Sequence, residues 1–237
     1  MFQSNKEYIN FLIQSGVHTF LKETPNKFIE NQQNLTKSKR KKDIKKLDEI
    51  TEIEDLIPLI SNHASSLKNN NNKMVLYDGN LNSNLMVIGE ALGQEEDEQG
   101  IPFIGKDGQL LNKMLSAINL DRKDVYITNV LPWRPPQNRI PTDEEILEFL
   151  PFLQRQIEIV KPKILYLLGS TAAKAILSTP LSLEKLRGKW HEYKTLNLES
   201  PINALVSYHP AFLIQSPNHK KEAWGDLQML QKKINEN

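Results

Sequence analysis

The stretch LMVIGEALGQEEDEQGIPFIG, residues 85–105, decides how this chain is read. Leu85–Ile88 is a continuous apolar run of strand length, the pattern of a buried strand. It empties into two glycines, Gly89 and Gly93, then four carboxylates, Glu95, Glu96, Asp97 and Glu98, and then Pro102 and Phe103. An ordinary turn needs one glycine and a polar residue. This loop has the composition of a pocket wall, and the question it raises is what the pocket holds.

Three more short apolar runs lie downstream: Val125–Thr128, Ile164–Leu168 and Ala204–Ser207. Helical patterns separate them, GQLLNKMLSAI at 108–118 and TDEEILEFLPFLQRQIEIV at 142–160. Thr142 followed by Glu145 is a capping box that starts the second helix. Strands alternating with helices predict an α/β fold with a parallel sheet covered on both faces. After the four strands come GEALG, NVLPWRPPQNR, GSTAA and YHPAF. Loops beyond the carboxyl ends of parallel strands converge on one rim, where ligands bind. Three of these four are rich in polar or aromatic residues that no core requires, which points to an enzyme or a small-molecule pocket.

Composition narrows the possibilities. The 237 residues carry a net charge of +1, so any nucleic-acid partner must be met by a local patch. There is no cysteine, which excludes disulfides, thiolate zinc sites and cysteine-ligated iron–sulfur clusters within the chain. No apolar run approaches the ~18 residues of a membrane span. Asn5, Lys6 and Glu7 stand where a signal peptide would be apolar, so the expected compartment is the cytoplasm. A helical pattern occupies 1–30, and TKSKRKKDIKK, residues 36–46, packs seven basic side chains into eleven positions. That run reads as a solvated linker with nonspecific attraction for phosphate. Residues 50–68 have the pattern of another amphipathic helix, and Asn69–Asn72 is a polar tract. The expected division is an N-terminal helical extension with a basic linker over 1–72 and a catalytic domain over 73–237.

GEALGQEEDEQGIPFIGKDGQLL, YITNVLPWRPPQNRIPT, LPFL, LGSTAAKAIL, LRGKW and SYHPAFLIQSP, in this order and spacing, resemble the family 4 uracil-DNA glycosylases across roughly residues 75–230. YINFLIQSGV and VLYDG resemble the version of the family with an N-terminal helical extension. The resemblance implies a three-layer α/β/α sandwich around a central four-stranded parallel sheet. It implies hydrolysis of the bond between uracil and deoxyribose in base-excision repair, acting on uracil-containing DNA; a monomer is expected, and with no cysteine in the chain no cofactor is expected either. Such an enzyme takes the base out of the stack into a pocket that reads its hydrogen-bonding edge.

The same resemblance assigns residues. Phe103 corresponds to the ring that stacks on the extruded uracil, Asn129 to the amide that reads its edge, and His209 to the donor that meets O2 as negative charge collects on the leaving base. An amide offers both an acceptor and a donor, so Asn129 suits uracil N3–H and O4 and refuses the amino group of cytosine. Glu90, with Ala91 beside it, stands where related enzymes orient the water and the base. Gly89 and Gly93 let the main chain pass close to base or phosphate. Asp97 matches the family's acidic position, while the other carboxylates of the block read as a solvated rim. Arg134, Asn138 and Arg139 lie on the Pro-rich loop as candidate contacts to the DNA strand, Asn138 also within the substrate-binding set. Leu213 is placed like the wedge that fills the gap left by the base, with a core leucine as the competing reading.

Four departures stand out. Many family members hold a 4Fe-4S cluster on four cysteines. Here the corresponding positions are Trp133 and Phe149, and NHASSLK, with Ser65 and Ser66, lies where the first pair is expected. Apolar packing by Trp133 and Phe149 is the expected substitute. Leu92 replaces a proline, Gln137 a glycine and Gln215 an arginine, changes that predict slower turnover or weaker DNA binding. Two other readings compete with the enzyme: a non-catalytic or weakly active DNA-binding relative that recognises damaged or single-stranded DNA, and an unrelated nucleotide hydrolase whose acidic loop holds magnesium.

Overall fold

Strands β2 (Leu85–Gly89) and β4 (Ile164–Leu168) are buried at every position, as their unbroken apolar runs require of the middle of a sheet covered on both sides. The computed structural model describes residues 47–69 and 72–236. The chain forms two units, Met1–Glu49 and Ile50–Asn237, and the fold described is that of the second. The helical pattern over 1–30 and the basic run at 36–46 lie outside the described residues.

Six strands form one sheet. With β1 (Tyr77–Gly79), β3 (Tyr126–Asn129), β5 (Trp190–Tyr193) and β6 (Ile202–Ser207), the order is β1-β3-β2-β4-β6-β5. The four central strands, β3, β2, β4 and β6, are parallel, as the four apolar runs predict. The antiparallel edge strands β1 and β5 complete the sheet. Both are short and only partly buried, which is why they carry no apolar run legible in the sequence.

Residues alternate between two cores. Met86, Ile88, Tyr126, Leu165, Leu167, Ala204 and Val206 face one layer, with α4 (Asp143–Val160), α5 (Gly169–Leu177) and the short α6 (Leu183–Leu186) against them. Leu85, Val87, Ile127, Tyr166, Leu168 and Leu205 face the other, covered by α3 (Lys106–Ser116), α7 (Pro210–Gln215) and α8 (Lys220–Glu236). This is the three-layer α/β/α sandwich. The capping box of α4 is present: Thr142 accepts from the Glu145 amide, and the Glu145 carboxylate from the Thr142 amide.

Helix α1 (Ile53–Asn62) belongs to the same unit as the sheet and packs on α4. It buries Ile53, Leu56 and Ile60, and Arg155 of α4 donates to the Ile50 carbonyl at 2.8 Å. The division expected after residue 72 and the compact unit's start at Ile50 therefore differ by this helix. The polar tract beyond it reads as a linker in sequence, whereas its apolar face is built to pack. Among the described residues no helix is long and apolar enough to cross a membrane.

Candidate active site

The parallel register brings the ends of β2 and β3 side by side, with Gly89 opposite Asn129. Beyond β6 the chain reaches His209, the N-cap of α7. The short helix α2 (Gln94–Gln99) leads from the Gly93 cap to the Phe103 turn. The three side chains that the sequence singles out therefore converge. A side chain at Gly89 would collide with both the Phe103 ring and Asn129 Oδ1, so the bare glycine is what allows them to meet. The rings of Phe103 and His209 lie 5.5 Å apart and inclined by 32°.

Asn129 is 5 % exposed, and its Oδ1 has no hydrogen-bond partner among the described residues. A buried acceptor left unpaired costs roughly 1–3 kcal/mol. Such an acceptor is open to a donor from outside the protein.

His209 is fixed in one tautomer. Its Nδ1 accepts from the Ala211 amide at 3.2 Å, which leaves Nε2 to carry the proton and to donate. Burial pushes the imidazole pKa down from 6.5 to about 4, against the opposing pull of the Glu90 and Glu96 carboxylates. The ring is thus neutral near pH 7 and still a donor. The end of β6 that carries it is anchored to α8: Ser207 donates to Asp226 at 2.7 Å, Tyr208 donates to Glu222 at 2.9 Å, and Arg187 pairs with both carboxylates.

Glu90 follows Gly89 directly and is half-buried. Thr171, in the first turn of α5, donates a hydrogen bond to its carboxylate. This orients the carboxylate at the amino end of a helix, where the helix dipole favours negative charge. Thr171 was not singled out from sequence, although it lies in GSTAA, one of the four rim loops.

Residues 76–228 match the model of the uracil DNA glycosylase superfamily. The chain belongs to that superfamily. A type-4 uracil-DNA glycosylase of Pyrobaculum aerophilum is 35% identical over 191 residues, 79% of this chain and 92% of the relative. One from Thermotoga maritima is 34% identical over 173 residues, 70% of this chain and 88% of the relative. One from Sulfurisphaera tokodaii is 41% identical over 149 residues, 61% and 67% of the two chains.

Within this superfamily member, several expected site residues are engaged elsewhere. Leu213 is 1 % exposed and sits in the core beneath the sheet, so it is a packing residue and not an outward wedge. The neighbours that α7 turns outward are Phe212 and Ile214, 38 % and 43 % exposed. One residue of helical rotation separates the two roles, and sequence spacing alone does not resolve that. Phe212 stacks on Tyr208 at 5.0 Å and packs against His219 at 5.1 Å.

Asp97 accepts from the Lys73 amide at 2.8 Å and lies 3.8 Å from Arg134, which in turn donates to Asn138 at 2.6 Å. These three form a lash across the rim. Arg139 forks onto Glu145 at 2.8 and 2.5 Å, so its guanidinium is already paired, and the hydrogen bond holds the Glu145 carboxyl below its usual pKa. Gln137 and Asn138 both have φ of 56°. The loop thus retains a left-handed turn although Gln137 stands at a position where the family resemblance implies glycine. Ala91 is half-buried in the loop after β2.

The acidic block does not face outward as a unit. Glu96 is buried and accepts from the amides of Ile104 and Gly105, both at 2.9 Å; reading it as a solvated rim residue was wrong. Gly93 lies close enough that a Cβ there would come 2.5 Å from Glu96 Oε2. With Glu96 and Asp97 turned onto their own main chain, the block does not present a magnesium cradle. Among the described residues no three His, Cys, Asp or Glu side chains are grouped for a metal ion.

The stretches that the resemblance assigns to cluster ligation do converge. Trp133 and Phe149 are buried with ring centroids 5.6 Å apart. His63, from NHASSLK, lies 5.8 Å from Phe149 and 5.2 Å from Phe152, and bonds Glu148 at 3.0 Å. Four aromatic rings pack where a 4Fe-4S cluster would need thiolates, and the chain has no cysteine. The residues present do not fit the cluster.

Proposed function

We propose that this protein excises uracil from DNA, breaking the bond between uracil N1 and C1′ of deoxyribose. The observation that carries the reading is the unpartnered, buried Oδ1 of Asn129 beside the Phe103 ring and the neutral His209. Uracil N3–H satisfies that acceptor, and the amide's own N–H groups suit O4. The base lies on Phe103, and His209 Nε2–H donates to O2. As the N1–C1′ bond breaks, its electron pair leaves on the uracil ring, and the histidine donor stabilises that charge more than it does the ground state. Water, held by the Glu90 carboxylate that Thr171 orients, bonds to C1′ through its oxygen and gives up one proton, which ends on the uracil anion, so that neutral uracil and an abasic sugar result.

Phe212 is the apolar side chain offered to the gap left by the base. The enzyme works without metal or cluster, as a monomer, on DNA in the cytoplasm and not at a membrane. Duplex oligonucleotides with U:G and U:A, single-stranded U and hypoxanthine test the reading. Alkali-labile abasic sites at uracil are expected; no excision at any enzyme concentration overturns it. The runner-up, a binding module, is separated by His209→Ala. An enzyme loses rate by orders of magnitude, while a binder changes affinity slightly.

A further inference from the structure

Phe103 has φ of 52°, a left-handed conformation that a bulky residue rarely adopts and that persists only where its surroundings impose it. Two charged side chains outside the site do so. Arg122, in the short turn Arg122–Asp124 before β3, donates through Nη1 to the Phe103 carbonyl at 2.7 Å and through Nη2 to the Pro102 carbonyl. Its Nε is paired with Asp78 on the edge strand β1. From the other side, the buried Glu96 accepts from the next two amides, those of Ile104 and Gly105. Four backbone polar groups within residues 102–105 are thereby held by one fork and one carboxylate. Gly108 completes the seat, since a side chain there would overlap the Phe103 carbonyl.

We infer that Arg122, braced by Asp78 and opposed by Glu96, is a positioning residue that presents the Phe103 face to the base. This rests on the excision reading above. The guanidinium supplies a planar fork that lysine cannot reproduce, so the function lies in its geometry and not in its charge. Arg122 touches no substrate in this arrangement and acts only through the turn. The edge strand β1, which contributes little to the core, thereby has a role in preparing the site.

The test is a double-mutant cycle on uracil excision with Arg122→Lys, Phe103→Ala and the pair. Arg122→Lys is expected to lower kcat/KM for uracil-containing DNA at least fivefold. It should weaken product inhibition by free uracil by a similar factor and leave affinity for uracil-free DNA unchanged. In the Phe103→Ala background the same change is expected to do nothing further. Should Arg122→Lys not fold, Asp78→Asn carries the same cycle. Additive losses, or unchanged inhibition by free uracil, overturn the positioning role while the excision reading stands. A wild-type protein that excises no uracil overturns both.

Discussion

The loop NVLPWRPP runs from one kind of environment to another within five residues. At its start Asn129 keeps a buried oxygen unpaired, beside a phenylalanine in a left-handed turn and a histidine with a depressed pKa. At Trp133 the same loop enters a packed group of rings, in which Phe149 and Phe152 of α4 meet His63 from the end of α1 and the histidine is paired with Glu148. The first region holds strain and unmet hydrogen bonding; the second holds apolar contact and satisfied polar atoms. The contrast teaches a division of labour. Chemistry needs groups that are incomplete until a ligand arrives, and a chain tolerates them only where neighbouring packing fixes the backbone. At the loop's far end aromatic rings pack where the family resemblance leads one to expect a cluster.

Trp133→Ala is expected to cost about 3–5 kcal/mol of stability in a urea or guanidinium titration, with excision by the surviving folded fraction largely retained. If stability holds and excision collapses, the ring group is part of the site. At the rim the expectation reverses. His209→Ala should lower kcat by about 10²–10³-fold with a much smaller change in the unfolding midpoint.

The His209 pKa falls from 6.5 to about 4 on folding, so across that window the unfolded chain binds the proton more readily than the folded one. Its contribution is whole above 6.5 and is lost as pH falls toward 4. Measured against His209→Gln, the wild type should lose relative stability between pH 6.5 and 4, and its excision rate should fall near the lower value. A rate that falls already near pH 6.5 would mean an imidazole open to water.

Two smaller effects separate adjacent residues. Phe212→Ala should weaken binding to uracil-containing DNA by about 1–3 kcal/mol and leave the unfolding midpoint nearly unchanged. Leu213→Ala should act on stability instead, because that side chain lies in the core. A Leu213→Ala variant with native stability and poor DNA binding would restore the wedge to Leu213. Gln137→Gly should raise stability by less than about 1 kcal/mol, since glycine adopts φ of 56° without a Cβ penalty; a loss of stability would show that the Gln137 side chain makes a contact of its own.

Much of the fold was legible because the central strands are apolar throughout and the α4 cap has a local signature. The edge strands were not, since Tyr77–Gly79 and Trp190–Tyr193 are three and four residues long and half exposed. In the site, Asn129 and His209 stand out in sequence as polar residues after strands on one rim, while the roles proposed for them come from the family resemblance. Glu96, Arg122 and Thr171 were missed for a common reason: each acts through a hydrogen bond to a residue distant in sequence or to a backbone group, and no spacing announces such a bond. Arg139 and Leu213 were assigned to DNA because their positions allow it, whereas Glu145 and the core had already claimed them.

By itself the sequence determined the class of fold, the four parallel strands and the loops that share a rim, because apolar periodicity and strand length are local properties of the chain. It also determined that no thiolate cluster forms, because cysteine is absent. Only the tertiary structure decided which side chains at that rim remain free to meet a ligand. A side chain is committed by the partners it finds across the fold, and those partners come from segments that the linear order keeps apart.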